Sequence, residues 1–324
     1  MLIAALAILL GFVVLIWSAD LFVAGAASLA QNMGMSPILI GLTIVSLGTS
    51  APEVLVALTA SLTGAGELAV GNAIGSNIAN IALVLGATVL VAPLMVQEGC
   101  MKKEVPVLLA TTAGVGLLIV DGELSRFDGW LMIAVLIVLM VQLVRQQFGD
   151  TTLLEESEAE ALPHLATGRA WMTFLLGLAL LIGSSKVLVW GAVAAAEALG
   201  VSELIIGLTI VAIGTSLPEL AATVASAMRG HTEMALGNII GSNMFNLLAV
   251  MSIPGVVAAQ VLEPQVLSRD YFTMSWLTLF LAISIYISRS RTKSSPGHAY
   301  LGRILGILLL SFYALYYYFL HTSL

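Results

Sequence analysis

Charge is what this sequence has least of. Asp, Glu, Lys and Arg make up 10% of its 324 residues, where a water-soluble domain carries about a quarter. With 59% of the residues hydrophobic, too few polar side chains remain to cover a globule. The solvent for most of the chain therefore has to be a bilayer. Basic residues are the scarcer sign, 12 Lys and Arg against 19 Asp and Glu for a net charge of −7. That excludes a nucleic-acid binder, which needs a basic face. The single cysteine, Cys100, excludes an internal disulfide framework and leaves the redox compartment open.

What is present is apolar runs. Stretches of about 20 apolar residues, each enough to cross a ~30 Å hydrocarbon core as helix, fall near 3–29, 36–62, 68–92, 104–121, 127–146, 170–197, 203–228, 235–258, 271–288 and 301–320. The first, beginning "MLIAALAILLGFVVLIW", lacks the positive start of a signal peptide and is expected to remain as a membrane helix. The expected fold is an all-α polytopic membrane protein of ten transmembrane helices. "YALYYYF" at 313–319 is expected to form an interfacial aromatic belt.

Basic residues at the span ends give an orientation. Lys102, Lys103, Arg145, Arg169, Arg229, Arg289, Arg291, Lys293 and Arg303 lie on one side; Arg126 and Arg269 lie on the other, with Lys186 inside a span. This places both termini away from the cytoplasm and the acidic loop 150–168 inside it. That loop carries Asp150, Glu155, Glu156, Glu158 and Glu160 and reads as a solvated linker; it lacks the spaced oxygen ligands and turn glycine of a calcium loop.

Residues 41–80 align without a gap on 207–246, at an offset of 166, with 20 identities in 40 positions. "GTSxPE" occurs at 48 and 214, and "GNxIGSNxxN" at 71 and 237. Five spans per half is an odd number, so the second half is inverted relative to the first. Inverted repeats are characteristic of secondary transporters, with the substrate near the midplane at the repeat interface. The domains are thus 1–149, the loop 150–168, and 169–324.

The polar residues of these motifs share faces. Thr49 and Ser50 lie four and three residues before Glu53, as Thr215 and Ser216 do before Glu219. Pro52 and Pro218 have no N–H for the carbonyls of Gly48 and Gly214, and such freed carbonyls suit a cavity or an ion. Ser76 and Asn80 lie four apart, as do Ser242 and Asn246. Gly71 and Gly75, and Gly237 and Gly241, are spaced for close helix contact. The pooled ligands are all oxygen, which fits a hard cation. Two carboxylates match Ca²⁺, and they could equally hold Na⁺ ions or protons. Ionisable residues at mid-span are functional by default. Asp20 and Lys186 are equivalent under the offset and read as local structural residues. Glu67 and Glu233 fall at span ends and read as surface residues. No catalytic residues and no cofactor are indicated, and no obligate protein partner; a passive cation channel is a competing reading, and an intramembrane enzyme lacks a nucleophile–base pair.

The two motifs, in two inverted copies, resemble the alpha-repeats of the cation/calcium antiporter superfamily, the sodium/calcium exchangers. The resemblance implies Ca²⁺ moved against Na⁺ in the cytoplasmic membrane. It implies that Thr49, Ser50, Glu53, Ser76, Asn80, Thr215, Ser216, Glu219, Ser242 and Asn246 bind the ions, together with backbone carbonyls of Ser46 and Ala212. It also implies that the first and sixth helices slide across the others. Exchangers of this family commonly carry Asp at the position of Asn246; this chain has Asn in both halves, leaving two acidic groups.

Overall fold

The computed structural model describes residues 1–149, 165–200, 212–291 and 298–322. The interhalf loop is thus mostly outside the described residues, as is 201–211 in the seventh expected span. The described chain is mostly helical. Its long elements are α1 (Leu2–Asn32), α2 (Pro37–Thr49), α3 (Ala51–Leu62), α4 (Gly66–Val91), α5 (Glu104–Leu118), α6 (Arg126–Gly149), α7 (Thr167–Ala198), α8 (Leu217–Met228), α9 (Thr232–Val257), α10 (Phe272–Arg291) and α11 (Arg303–Thr322). Among the described residues, seven helices are long and apolar enough to cross a membrane, or eight if α2 and α3, bent by 45°, form one broken span. The chain is a multi-pass membrane protein.

The stretch 104–121 is shorter as helix than its apolar run. Gly122 takes φ 85°, and the Asp121 carboxylate accepts the Glu123 N–H at 3.1 Å. A left-handed glycine beside an Asx turn ends a helix, so α5 stops at Leu118.

Two small sheets tie the first part of the chain to the second. Strand β1 (Leu94–Val96), after α4, pairs antiparallel with β4 (Ala299–Leu301), before α11. Strand β2 (Glu123–Leu124), after α5, pairs with β3 (Gln260–Val261), after α9. Each sheet thus joins a strand before residue 150 to one after residue 165.

Helices α1 and α7 pack antiparallel as a close pair. A Cβ on Gly25 would lie 2.5 Å from the Phe174 nitrogen, and one on Gly177 would lie 2.5 Å from that of Phe22. Glycine there lets the backbones touch, the main source of helix adhesion in lipid. The rings of Phe22 and Phe174 stack beside the contact at 4.8 Å. On the outer face of α1, Leu6, Leu9, Leu10, Val13 and Trp17 are exposed, a surface suited to lipid.

The core is built from α4 and α9. Gly237 and Gly241 press against α2: a Cβ would lie 2.5 Å from the Ile38 carbonyl and 2.6 Å from that of Leu42. Around Gly71 and Gly75 no described atom lies within 4 Å of a Cβ; the positions equivalent to Ile38 and Leu42 are 204 and 208, outside the described residues.

The tyrosine-rich stretch is divided between interior and surface. Tyr313 is buried, and Tyr316 donates to Asp270 Oδ1 at 3.0 Å. Only part of it, including Tyr318 and Phe319, faces outward.

Candidate ion-binding site

Two bends make the site. Ser50 separates α2 from α3 at φ −84°, ψ 5°, and Ser216 precedes α8 at φ −90°, ψ 4°. The sequence repeat is therefore a conformational repeat. Its local cause is Pro52 and Pro218, each in the first turn of its helix, where a missing N–H costs nothing within the new helix but interrupts the ladder behind it.

The carbonyl freed at Gly214 borders the cavity beside the site and is held by a side chain. Ser185 of α7 donates to it at 3.1 Å. The residue equivalent to Ser185 in the first half is Ala19, which has no hydroxyl.

Inside the bends, Glu53 and Glu219 are 1% and 2% exposed and lie within electrostatic reach of each other. Ser50 donates to Glu219 Oε1 at 3.1 Å. Thr49 Oγ1 donates to Asn238 Oδ1 at 3.2 Å and stands 3.5 Å from Ser242 Oγ. Asn238 in turn donates to Thr223 Oγ1 at 2.9 Å. The Ser46 carbonyl accepts the Ser50 N–H at 2.9 Å and lies 3.3 Å from the Thr49 hydroxyl oxygen, as an alternative acceptor for that hydroxyl's one proton. Ala212 begins the short turn Ala212–Thr215, and Thr215 lines the cavity that borders the site.

Asn80 and Asn246 each open a stretch of widened helix, Asn80–Leu85 and Asn246–Val250, where the Met251 N–H reaches back five residues to the Asn246 carbonyl at 2.9 Å. Such wide turns inside α-helices are frequent at functional sites. The Asn80 turn packs on α8, which carries Glu219, and the Asn246 turn packs on α3, which carries Glu53. Each asparagine thus opens a turn that packs on the other half's carboxylate helix. Ser76 and Ser242 are buried one helical turn earlier.

Among the described residues, no hydrogen-bond partner reaches either oxygen of Glu53, Oε2 of Glu219, Oγ of Ser216 or the side-chain N and O atoms of Asn80 and Asn246, all of them buried. Keeping two such carboxylates ionised costs several kcal/mol each unless opposite charge compensates them. The donor set is hard oxygen throughout. No group of three or more His, Cys, Asp or Glu side chains able to hold a metal occurs among the described residues.

Sequence reasoning missed Asn238, Thr223 and Ser185. Asn238 was within reach, since it precedes Ser242 by four residues and shares its face. Thr223 and Ser185 have Ala57 and Ala19 as their equivalents, so the repeat could not point to them. Glu67 is exposed as expected, while Glu233 is half-buried. Asp20 departs from its expected local role: it pairs with Arg229, which donates through Nε at 2.6 Å.

A family model described as "Sodium/calcium exchanger protein" matches residues 3–145 and 169–322. The chain is 40% identical over 317 residues to the "Inner membrane protein YrbG" of Escherichia coli (strain K12), covering 95% of this chain and 94% of that one. It is 28% identical over 319 residues to the "Sodium/calcium exchanger MaX1" of Methanosarcina acetivorans, covering 87% and 91%. A solved structure of the sodium-calcium exchanger NCX_Mj superposes with a TM-score of 0.82 at 29% identity, covering 97% of this chain and 98% of that one. The buried oxygen site on two repeats and these matches lead to one conclusion: the chain belongs to the sodium/calcium exchanger family of membrane antiporters.

Proposed function

We propose that this chain exchanges Ca²⁺ for Na⁺ across the cytoplasmic membrane by alternating access. It does so with ten transmembrane helices in two inverted five-helix halves, 1–149 and 169–324, joined by the cytoplasmic loop 150–168, with both termini on the opposite side. The observation that carries the reading is the symmetric pair Glu53 and Glu219, buried among oxygens that the described residues leave without partners. One Ca²⁺ neutralises both carboxylates, and so do two Na⁺. The ions compete for the same charges, and that competition couples their movements.

Thr49, Ser50, Ser76 and Asn80, with Thr215, Ser216, Ser242 and Asn246, supply neutral oxygens, and the carbonyls of Ser46 and Ala212 complete the shell. Six to eight oxygens are what Ca²⁺ takes, in flexible geometry. With asparagine at both 80 and 246, no third carboxylate is available for a further ion. Protons could neutralise the same pair, so the coupling ion is decided by experiment. Purified chain in proteoliposomes takes up radiolabelled calcium against an imposed sodium gradient and not against a proton gradient. Uptake that follows only the proton gradient replaces Na⁺ by H⁺ in this reading. Uptake at equal rate with neither gradient makes the chain a passive pathway.

A further inference from the structure

The two halves are equivalent in sequence but not in arrangement. On one side, Pro52, Val56, Ser185, Lys186, Thr215 and Pro218 border a cavity of about 460 Å³. On the other, the matching space is filled: Leu217, Ala221 and Ala225 pack into a cluster with Ala19, Phe22, Val23 and Phe174. In an inverted repeat the opposite-facing conformation is the one in which the halves exchange arrangements.

The closed side carries an ion pair between the α1/α7 pair and the core. Arg229, just past the end of α8, places both Nε and Nη2 2.6 Å from Asp20 Oδ1 on α1. The equivalents of these two residues are Thr63 and Lys186. Lys186 borders the open cavity, and Thr63 does not line it. Exchanging the arrangements puts Asp20 in the setting that Lys186 now has, beside an open cavity and away from residue 229. The contact therefore exists on one side only and in one conformation only. His231 lies near Arg229, and its imidazole is held below its usual range, first by burial and then by the Arg229 charge; a neutral histidine does not compete for Asp20.

We infer that Asp20 and Arg229 form a state-dependent latch, which holds the chain in the conformation closed on the Arg229 side and must open in each exchange cycle. The inference rests on the alternating access proposed above. Part-exposed pairs of this kind shift an equilibrium modestly, by at most about five-fold.

The test uses the full chain with Cys100→Ser, which removes the only thiol, and Val56→Cys on the open cavity. Labelling by a membrane-impermeant maleimide from outside, normalised to labelling in detergent-denatured chain, reads the population open on that side. Asp20→Asn and Arg229→Gln each lower the rate, by at most about five-fold, and the swap Asp20→Arg with Arg229→Asp restores it. Unchanged labelling in both neutralised variants overturns the latch, as does a swap that labels as slowly as the single variants. Calcium exchange by the parent is measured in parallel: absence of exchange refutes the transport reading, while normal exchange with unaltered labelling refutes only the latch.

Discussion

Ser50 and Glu219, 169 residues apart, are joined by a hydrogen bond of 3.1 Å that crosses the boundary between the two repeats. A neutral residue at the bend of one half thereby touches the charge of the other. The site belongs to neither half alone. A hydrogen bond to an ionised group contributes about 1.5–3 kcal/mol. Ser50→Ala also removes an oxygen from the ion shell, so it raises the KM for calcium by roughly 10- to 100-fold without altering the amount of folded protein. An unchanged KM excludes Ser50 from the shell.

The bend in the second half has its own prediction. Ser185 holds the carbonyl that Pro218 frees at Gly214. Ser185→Ala leaves that carbonyl unpaired and destabilises the chain by about 1 kcal/mol. In a Pro218→Ala background the restored helical N–H takes the carbonyl, and the same substitution becomes neutral. Thermal unfolding of the four chains in detergent gives the coupling; additive effects contradict it.

Glycine at the α2–α9 contact is predicted to be irreplaceable. A methyl at Gly241 would meet the Leu42 carbonyl and the Ser46 hydroxyl at 2.6 Å. Overpacking of this kind costs about 1–3 kcal/mol and displaces Ser46 from the bend. At Gly114, on α5, an added methyl would have no described atom within 4 Å. Size-exclusion profiles and melting temperatures should show Gly241→Ala impaired and Gly114→Ala at or above the parent, since alanine is the better helix former. Equal behaviour of the two refutes the close contact.

Much of this was legible in the sequence because lipid leaves few ways to hide a polar residue. A carboxylate in an apolar run has to face an interior, so Glu53 and Glu219 announced the site. Their 166-residue offset announced its symmetry. What stayed hidden were the places where the halves differ. The partner of Asp20 lies 209 residues away; Asp20 itself is equivalent to Lys186 and Arg229 to Thr63, so the repeat gave no guide to the pair. Ser185 stands opposite Ala19 in the alignment, and the fate of the Gly214 carbonyl followed that difference. Composition gave no sign that Tyr316 of "YALYYYF" bonds to Asp270. The limits of α5 were set by a glycine turn that hydropathy does not register.

The central claim is that Glu53 and Glu219 together carry the transported charge. Calcium flux into sodium-loaded proteoliposomes, with Glu53→Gln and Glu219→Gln compared with the parent at matched amounts of monodisperse protein, tests it most directly. Each substitution removes one of the two charges in the site and keeps the shape of its side chain, so exchange should fall to the level of empty vesicles in both. Exchange at the parental rate in either variant contradicts the account.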